Sequence, residues 1–305
     1  MDLAPIAFAI PYYRNRVYLR EAIDSVRAQT HEDWELLVVD DAGPEPAEDL
    51  VASYGDARMR YVRHEANVGM TANWNACLRL ARAPLTTLLH QDDRLLPRYA
   101  ERVLAASRRS PGAAAYFTDV RVIGEDGSAT MTAADLAKRF SRRPHDDYDL
   151  AGDAGMASII TNNYIFCPSM CLDRAVVGPD PFDARWSQVQ DLDFTTRQFL
   201  HGRTLHSIRE ILFEYRRHES NQTQANTLDA TRFVEELELH RLLEIRASDR
   251  GWPRSRRAAR RRLMVRGHLT QKMLVDLAHR RPAAARGKWD LLLADLRGPV
   301  TRDRH

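Results

Sequence analysis

The 305-residue sequence has no apolar run long enough to cross a bilayer, and its N-terminus has no charged segment leading into an apolar one. Cysteine is scarce as well. Cys77, Cys167 and Cys171 include no Cys-x-x-Cys pair, so buried thiols are favoured over disulfides or a cysteine metal site. We therefore expect a cytoplasmic protein. Its 44% apolar content is enough for a substantial core without cross-links.

Acidic residues are scarce in the C-terminal part of the chain. From Arg246 onward, seventeen Lys and Arg residues stand against five Asp and Glu. Aromatic residues that could stack on bases are not interleaved with these arginines, which disfavours nucleic-acid binding. Peripheral contact with an anionic membrane face fits better, and a solvated helical face or a homodimer contact is the simpler alternative. The arginines in question are Arg256, Arg257, Arg260, Arg261, Arg262 and Arg266.

Alternating strands and helices are predicted for the first part of the chain. Apolar runs indicate strands at Ile6–Ile10, Trp34–Val39 and Met59–Arg63, and another begins at Leu85. Strands and helices that alternate at this spacing favour a parallel sheet. The remaining patterns predict a helix around Leu19, Ile23 and Val26, helices at 46–54, 70–81, 97–107 and 153–161, a helix around Phe194, strands at 113–117, 165–170, 204–208 and 212–217, and a hairpin at 120–132.

Two later stretches are of a different kind. Residues 133–149 are polar and irregular, as expected for a lid, an acceptor-binding segment or a disordered loop. From Thr227 the pattern is helical, with breaks near Gly251 and Arg281 that indicate about three segments. We expect these helices to form an appendage to the sheet domain.

Two of the predicted strands end in paired carboxylates, Asp40-Asp41 and Asp92-Asp93. Ligands of open α/β sheets lie beyond the carboxyl ends of the strands. Adjacent carboxylates repel each other unless a cation lies between them, and a divalent metal is the simplest such cation. An ionised carboxylate also accepts hydrogen bonds from a nucleobase or a ribose. The alternatives are a solvated turn for Asp92-Asp93 and a helix N-cap for Asp40 or Asp41.

Asp191 or Asp193 falls in the first turn of the helix around Phe194. A carboxylate there is stabilised as the anion by the free N–H groups of the helix, and capping is the simplest local role. His218 follows the last predicted strand, where a histidine is usually exposed or hydrogen-bonded.

In this order the signals resemble the family 2 glycosyltransferases of the GT-A fold, over about residues 4–222. The likeness rests on Pro11-Tyr12-Tyr13, Ser25, Gln29, Asp40-Asp41, Asn67-Val68-Gly69, Asn75, Asp92-Asp93 and the helix-opening carboxylate. Ala72-Asn73-Trp74-Asn75 followed by Leu89-His90-Gln91-Asp92-Asp93 resembles one bacterial branch of the family. The resemblance implies an α/β fold with a Rossmann-like, mostly parallel sheet flanked by helices. It implies a GT-A domain over residues 1–224, with a nucleotide-sugar half at about 1–120 and an acceptor half at about 121–224, and a helical basic region over 225–305.

The resemblance also implies residue roles. Asp191 would be the catalytic base, Asp93 would bind Mn²⁺ or Mg²⁺ through the diphosphate, and His218 would complete the metal shell. His90 and Gln91 would be supports or donor-sugar contacts. Residues expected to contact the nucleotide sugar are Pro11, Tyr13, Asp40, Asp41, Asn67, Gly69, Asn73 and Asp92.

Three departures from the family pattern stand out. Gln190 precedes the expected base where Glu is usual, and Arg14 replaces the asparagine that follows the first-loop tyrosine. Asn73 stands where the family often has a basic residue, so the metal and Arg216 or Arg217 would neutralise more of the diphosphate.

The expected reaction is metal-assisted transfer of a sugar, with inversion, from a nucleotide-diphosphate sugar to an acceptor hydroxyl. UDP is the favoured nucleotide. The acceptor is open among saccharides, lipid-linked molecules and small molecules of polysaccharide or glycoconjugate biosynthesis. A sugar nucleotidyltransferase is a weaker alternative because the loop Pro11–Arg16 has no glycine to cradle phosphates. A membrane or nucleic-acid binding protein with a vestigial GT-A domain is another.

Overall fold

The computed structural model describes residues 5–130, 144–217 and 231–297. The strands are β1 Ile6–Tyr12, β2 Trp34–Asp40, β3 Met59–Arg63, β4 Leu85–Leu88, β5 Arg94–Leu95, β6 Ala115–Ile123, β7 Tyr148–Leu150, β8 Met170–Asp173 and β9 Leu205–Arg216. The helices are α1 Arg16–Arg27, α2 Glu48–Ala52, α3 Met70–Leu80, α4 Tyr99–Arg109, α5 Gly152–Asn162, α6 Arg174–Val177, α7 Gln190–Leu200, α8 Thr231–Asp249, α9 Pro253–Arg261, α10 Leu263–Ala278 and α11 Pro282–Arg297.

Within these ranges the strands form one nine-stranded sheet, in the order β3-β2-β1-β4-β8-β6-β9-β5, with β7 paired to β9. Strands β1 to β4 are parallel. β8 runs antiparallel to both β4 and β6, and β6 is parallel to β9. The carboxyl ends of β1, β2, β4, β6 and β9 therefore meet at one edge of the sheet. The predicted α/β fold is confirmed, with antiparallel strands added in its second half.

Both faces of the sheet are covered, which explains the uninterrupted apolar runs of β1 and β2. Successive strand residues point to opposite faces. Phe8 and Leu36 belong to a core shared with α1 and α4, whereas Ala9 and Leu37 belong to a core shared with α3, α5 and α7. On α1, the predicted residues Leu19, Ile23 and Val26 are all buried at helical spacing, together with Ala22.

Some predicted elements differ from those observed. The strand expected at 165–170 is wrong: residues Cys167–Ser169 form a 3₁₀ turn, and β8 begins only at Met170. Pro168 explains the turn because proline has no N–H for a sheet. The two strands expected at 204–208 and 212–217 form the single strand β9, whose register against β6 shifts near Asp119. The expected hairpin is present around Gly124–Gly127, where Ile123 pairs antiparallel with Ala129, but its first strand is the end of the longer β6.

The C-terminal helices pack on the sheet domain. α8 buries Leu239, Leu243 and Ala247 in the core that contains α5 and α7. A break at Arg262, with φ 48°, separates α9 from α10 and adds a helix to the three segments expected. The expected boundary at 224/225 and the helix start at Thr227 lie outside the described residues, as does most of the expected lid at 133–149. No helix in the described ranges is long and apolar enough to cross a membrane.

Part of the predicted basic face is occupied by internal ion pairs. Arg262 is 8% exposed and its guanidinium lies 2.9 Å from buried Asp295. Arg266 contacts the same carboxylate at 2.9 Å. Four exposed arginines are left for a basic face: Arg256, Arg257, Arg260 and Arg261. Contact of this face with a membrane or a second copy stays a prediction.

Candidate functional site

A tight turn follows β4 at the carboxyl edge of the sheet. The backbone N–H of Asp93 donates to the carbonyl of His90, at 3.1 Å. The turn brings the side chains of His90, Asp92 and Asp93 together, so that one potential ligand atom of each lies within 4.8 Å of the others. From the sequence, the metal is assigned to Asp93 and a donor contact to Asp92, and His90 is not named as a ligand. The spacing of His90 three residues before Asp93 was the available signal.

Asp93 is almost completely buried, and its two oxygens differ. Oδ1 accepts a 2.8 Å hydrogen bond from the backbone N–H of Arg216. Oδ2 has no hydrogen-bond partner among the described residues and lies 3.9 Å from His90 Nδ1. Burial, and next the charge of Asp92, raises the pKa of Asp93 well above its usual range. A buried acceptor without a partner is costly, and a bound cation would satisfy it.

His90 has a matching feature. Its Nε2 is buried and has no hydrogen-bond partner within the described ranges, and its ring stacks on Trp74 with centroids 5.1 Å apart. Burial lowers the pKa of His90, which favours the neutral imidazole that binds metals. The carboxylate oxygens suit Mg²⁺ or Mn²⁺, and the imidazole adds a nitrogen donor that Mn²⁺ accepts more readily than Mg²⁺. The residues of this turn therefore fit a divalent metal.

Arg216 holds this turn in place. Its side chain is buried, and its Nε donates to the carbonyl of Asp92 at 2.9 Å. Its Nη1 donates to the carbonyl of Glu125 at 2.7 Å, and its Nη2 pairs with Glu21. These contacts correct the expectation that Arg216 neutralises a diphosphate, because the guanidinium is already engaged by protein acceptors. The same role for the half-buried Arg217 stays a prediction.

Asp40, at the end of β2, is buried and hydrogen-bonded by the protein. Its Oδ1 accepts from the backbone N–H of Gly43 at 3.0 Å, and its Oδ2 accepts from Arg63 at 2.6 Å and from the hydroxyl of Tyr61. The alternative role as an N-cap is wrong, since α2 begins at Glu48 after Ala47 and has no side-chain cap.

Asp41 builds the neighbouring loop. Its Oδ1 accepts from the N–H of Val68 at 2.7 Å, and its Oδ2 accepts from the N–H of Gly69 at 3.0 Å. The side-chain amide of Asn67 donates to the Asp41 carbonyl at 3.2 Å. Gly69 has φ 86°, a backbone conformation that favours glycine. Asn67 and Gly69 therefore have a structural role, since both hydrogen-bond to Asp41. The nucleobase role expected of Asp40 and Asp41 stays a prediction.

The loop after β1 lies beside these residues. Pro11 is half-buried and pairs with Val39, whereas Tyr13 is 43% exposed. The N–H of Tyr13 donates to Gln91 Oε1 at 2.9 Å, which connects this loop to the turn after β4. A Cβ at Gly43 would lie 1.5 Å from the carbonyl oxygen of Tyr13, so only glycine fits there.

The Asn73-Trp74-Asn75 segment of α3 connects three parts of the site. The amide of Asn73 donates to the Val39 carbonyl at 3.0 Å, and Trp74 stacks on His90 as described. Asn75 exchanges two hydrogen bonds with the backbone of Phe182, at 2.8 and 3.1 Å, in the chain that leads to α7. The side chain of Asn73 is only 3% exposed, and its amide is already hydrogen-bonded to the protein. A donor-binding role for Asn73 stays a prediction.

At the start of α7 the two acidic residues have different surroundings. Asp193 is buried and pairs with Arg197 at 2.7 Å and with Arg246 at 3.6 Å. Asp191 is half-buried, and its Oδ1 accepts from the N–H of Leu192 at 2.7 Å. Val189 occupies the N-cap position, so Asp191 lies inside the first turn and is not the cap.

Asp191 and Asp93 both lie near the buried thiol of Cys167. The buried thiol of Cys167 has its pKa raised by burial, and then by the negative charges of Asp191 and Asp93. Both carboxylates therefore lie within electrostatic range of one side chain. His218 lies outside the described residues.

The comparisons with known proteins agree with this architecture. EpsH of Bacillus subtilis, which carries a glycosyltransferase name, is 25% identical over 73% of this chain and 64% of its own length. The glycosyltransferase MJ1057 of Methanocaldococcus jannaschii is 24% identical over 67% of this chain and 68% of its own length. The chain thus spans about two thirds of these curated relatives.

Solved structures of TarS from S. aureus share the fold. The TarS 1–349 structure has a TM-score of 0.63 and 14% identity, and the match covers 95% of this chain and 79% of that one. Its complex with UDP-GlcNAc has a TM-score of 0.59 and 15% identity, over 79% of this chain and 66% of that one. The family model "Glycosyl transferase family 2" matches residues 7–168, more than half of the chain. This protein belongs to glycosyltransferase family 2.

Proposed function

We propose that this protein transfers a sugar from a nucleotide-diphosphate sugar to an acceptor hydroxyl, with inversion. The observation that carries the proposal is the turn at the carboxyl edge of the sheet, where His90 and Asp93 each retain a buried polar atom without a partner in the described ranges. Family membership supports a glycosyltransferase activity. The UDP and UDP-GlcNAc complexes of TarS favour a UDP-sugar as donor.

Asp92 and Asp93 would hold Mn²⁺ or Mg²⁺, with His90 as a further donor and His218 as one implied by the family likeness. When bound, the metal supplies Lewis-acid stabilisation of the departing diphosphate. Contacts within the protein orient two of these side chains. The N–H of Arg216 fixes Asp93 Oδ1, and Trp74 fixes the plane of the His90 ring.

Donor contacts are proposed along the loops that follow β1, β2 and β3. Tyr13 offers an exposed ring to a nucleobase beside Pro11. Each oxygen of Asp41 accepts one hydrogen bond from the protein and retains a second lone pair. The remaining proposed donor contacts are Asp40, Asn67, Gly69, Asn73 and Asp92.

Asp191 is proposed as the general base that takes the proton of the acceptor hydroxyl. Its half-buried carboxylate accepts a hydrogen bond from the N–H of Leu192 and lies in the first turn of α7. The neighbouring Gln190 anchors the helix start by donating to Thr71 Oγ1 at 3.1 Å. Gln190 thus provides an anchor at the position where the family usually has Glu.

A thermal-shift panel of UDP-, GDP- and dTDP-sugars, with and without Mn²⁺, tests the proposal. A ligand that binds only the folded state raises the melting temperature. We expect a UDP-sugar to stabilise the protein in the presence of Mn²⁺ and much less without it. Stabilisation by none of the sugars, or equal stabilisation with and without Mn²⁺, would contradict the proposal.

A further inference from the structure

The loop of residues 183–189 leads into α7 and the proposed base. It contains no helix or strand, and its conformation depends on contacts with other elements. On one side, Thr71 Oγ1 of α3 donates to the carbonyl of Trp186 at 3.3 Å. Trp186 itself is 3% exposed, so its ring anchors the middle of the loop. The position of Asp191, five residues later, depends on how this loop is held.

On the other side, the loop is held by Glu235 of α8, in the C-terminal region. Glu235 Oε2 accepts from the backbone N–H of Gln188 at 2.8 Å and from that of Ser187 at 3.0 Å. Its Oε1 accepts from Ser187 Oγ at 2.5 Å. Hydrogen bonds to a charged acceptor are about twice as strong as neutral ones. One carboxylate therefore fixes two successive peptide groups of the loop.

These contacts join the C-terminal helices to the reaction site. The segment 187–188 ends one residue before Val189, which is the N-cap of α7. A displacement of this segment would move the first turn of α7 and, with it, Asp191. Misplacement of a reacting group by about 1 Å can cost on the order of 10²-fold in rate.

We propose that Glu235 is a positioning residue for the transfer reaction. It orders residues 187–188 so that Asp191 is presented to the acceptor. This inference rests on the proposed function, because it assumes that Asp191 is the base. It also gives the C-terminal helical region a part in catalysis.

The test compares Glu235→Gln with Glu238→Gln, a control with the same charge change at an exposed position of α8. An amide is uncharged and has one acceptor oxygen, so Gln can keep the contacts of only one carboxylate oxygen and loses the charge that strengthens them. We expect Glu235→Gln to lower kcat about tenfold while donor-induced thermal stabilisation stays at the wild-type level. Glu238→Gln should leave both unchanged. Ser187→Ala removes only the Oγ donor and should lower kcat less than Glu235→Gln.

A second readout separates positioning from general stability. If Glu235 acts through Asp191, Glu235→Gln should cause no further loss of the residual activity of Asp191→Asn. Wild-type kcat in Glu235→Gln would overturn the inference. An equal fold-decrease in kcat from Glu235→Gln in the wild-type and Asp191→Asn backgrounds would also overturn it. Full activity of Asp191→Asn would instead overturn the base assignment on which the inference rests.

Discussion

Two strands of the sheet end in the same Asp-Asp sequence, yet the two pairs have different surroundings. At the end of β2, both oxygens of Asp40 and both oxygens of Asp41 accept hydrogen bonds from the protein. At the turn after β4, Asp93 Oδ2 is buried and has no partner in the described ranges. The first pair thus builds loops, and the second pair retains an acceptor that a cation can fill.

The acidic residues at the start of α7 show a similar difference. Asp193 is buried against Arg197, whereas the half-buried Asp191 accepts a hydrogen bond from an adjacent backbone N–H. Because Asp193 is fully buried and already paired with an arginine, it is not accessible to an acceptor hydroxyl. The comparison therefore separates Asp193, which maintains the fold, from Asp191, which the reaction would use.

The largest difference is expected between Asp93→Asn and Asp41→Asn. In Asp93→Asn the amide oxygen still accepts from Arg216, and a buried charge is removed, so the melting temperature should not fall. Transfer should fall on the order of 10³-fold, because the metal contributes several kcal/mol to the transition state. The measurements are the UDP-sugar thermal shift with and without Mn²⁺, and the rate of UDP release.

Asp41→Asn should behave in the opposite way. The NH₂ group of the new side chain would replace one carboxylate oxygen, so the N–H of Val68 or Gly69 would lose its acceptor. The free energy of unfolding should therefore fall by about 1–3 kcal/mol. The dependence of donor binding on Mn²⁺ should be retained. Wild-type stability of Asp41→Asn, or an intact Mn²⁺ effect in Asp93→Asn, would contradict the comparison.

The next difference is expected between Asp191→Asn and Asp193→Asn. Asp191→Asn should lower kcat on the order of 10²-fold while leaving the donor-induced thermal shift intact, as for loss of a general base. Asp193→Asn should instead cost about 2 kcal/mol of stability, since it removes the partner of the partly exposed Arg197. Rates from single-turnover assays and denaturant midpoints separate the two. An active Asp191→Asn variant would remove Asp191 from the mechanism.

The positions of these carboxylates could be predicted because they depend on local pattern. A buried apolar run that ends in Asp93 indicates a strand end, and the spacing of Leu19, Ile23 and Val26 indicates the inner face of a helix. Their partners could not be predicted in the same way. Arg216 reaches Asp93 across 123 residues of sequence, and only the pairing of β9 in the sheet brings it there.

The same reason explains what was missed in the C-terminal region. Glu235 contacts a loop 47 to 48 residues earlier in the chain, and no local signal distinguishes it from the other acidic residues of α8. The break at Arg262 needs φ 48° at a residue other than glycine. Burial of its guanidinium against Asp295 accompanies that break, and neither feature follows from helical periodicity.

The smallest expected effect extends the comparison to the C-terminal helices. There the carboxylates of Asp276 and Asp295 are paired with Lys288 and Arg262, whereas Nδ1 of buried His240 has no partner within the described ranges. Burial lowers the pKa of His240 to about 4, against an ordinary value of 6.5. Between these two values the unfolded chain binds a proton that the folded chain does not, so this histidine makes the protein less stable as the pH falls from about 6.5 to about 4.

Replacing His240 with leucine should remove this proton-linked loss. We expect the decrease in unfolding free energy between pH 7 and pH 4.5 to be smaller by about 2 kcal/mol in His240→Leu than in the wild type. All other titratable groups are the same in both proteins, so their contributions cancel in this difference. Denaturant unfolding at the two pH values measures it, with His279→Leu as a control at an exposed histidine. An unchanged pH dependence in His240→Leu would mean that His240 does not account for the acid sensitivity of the protein.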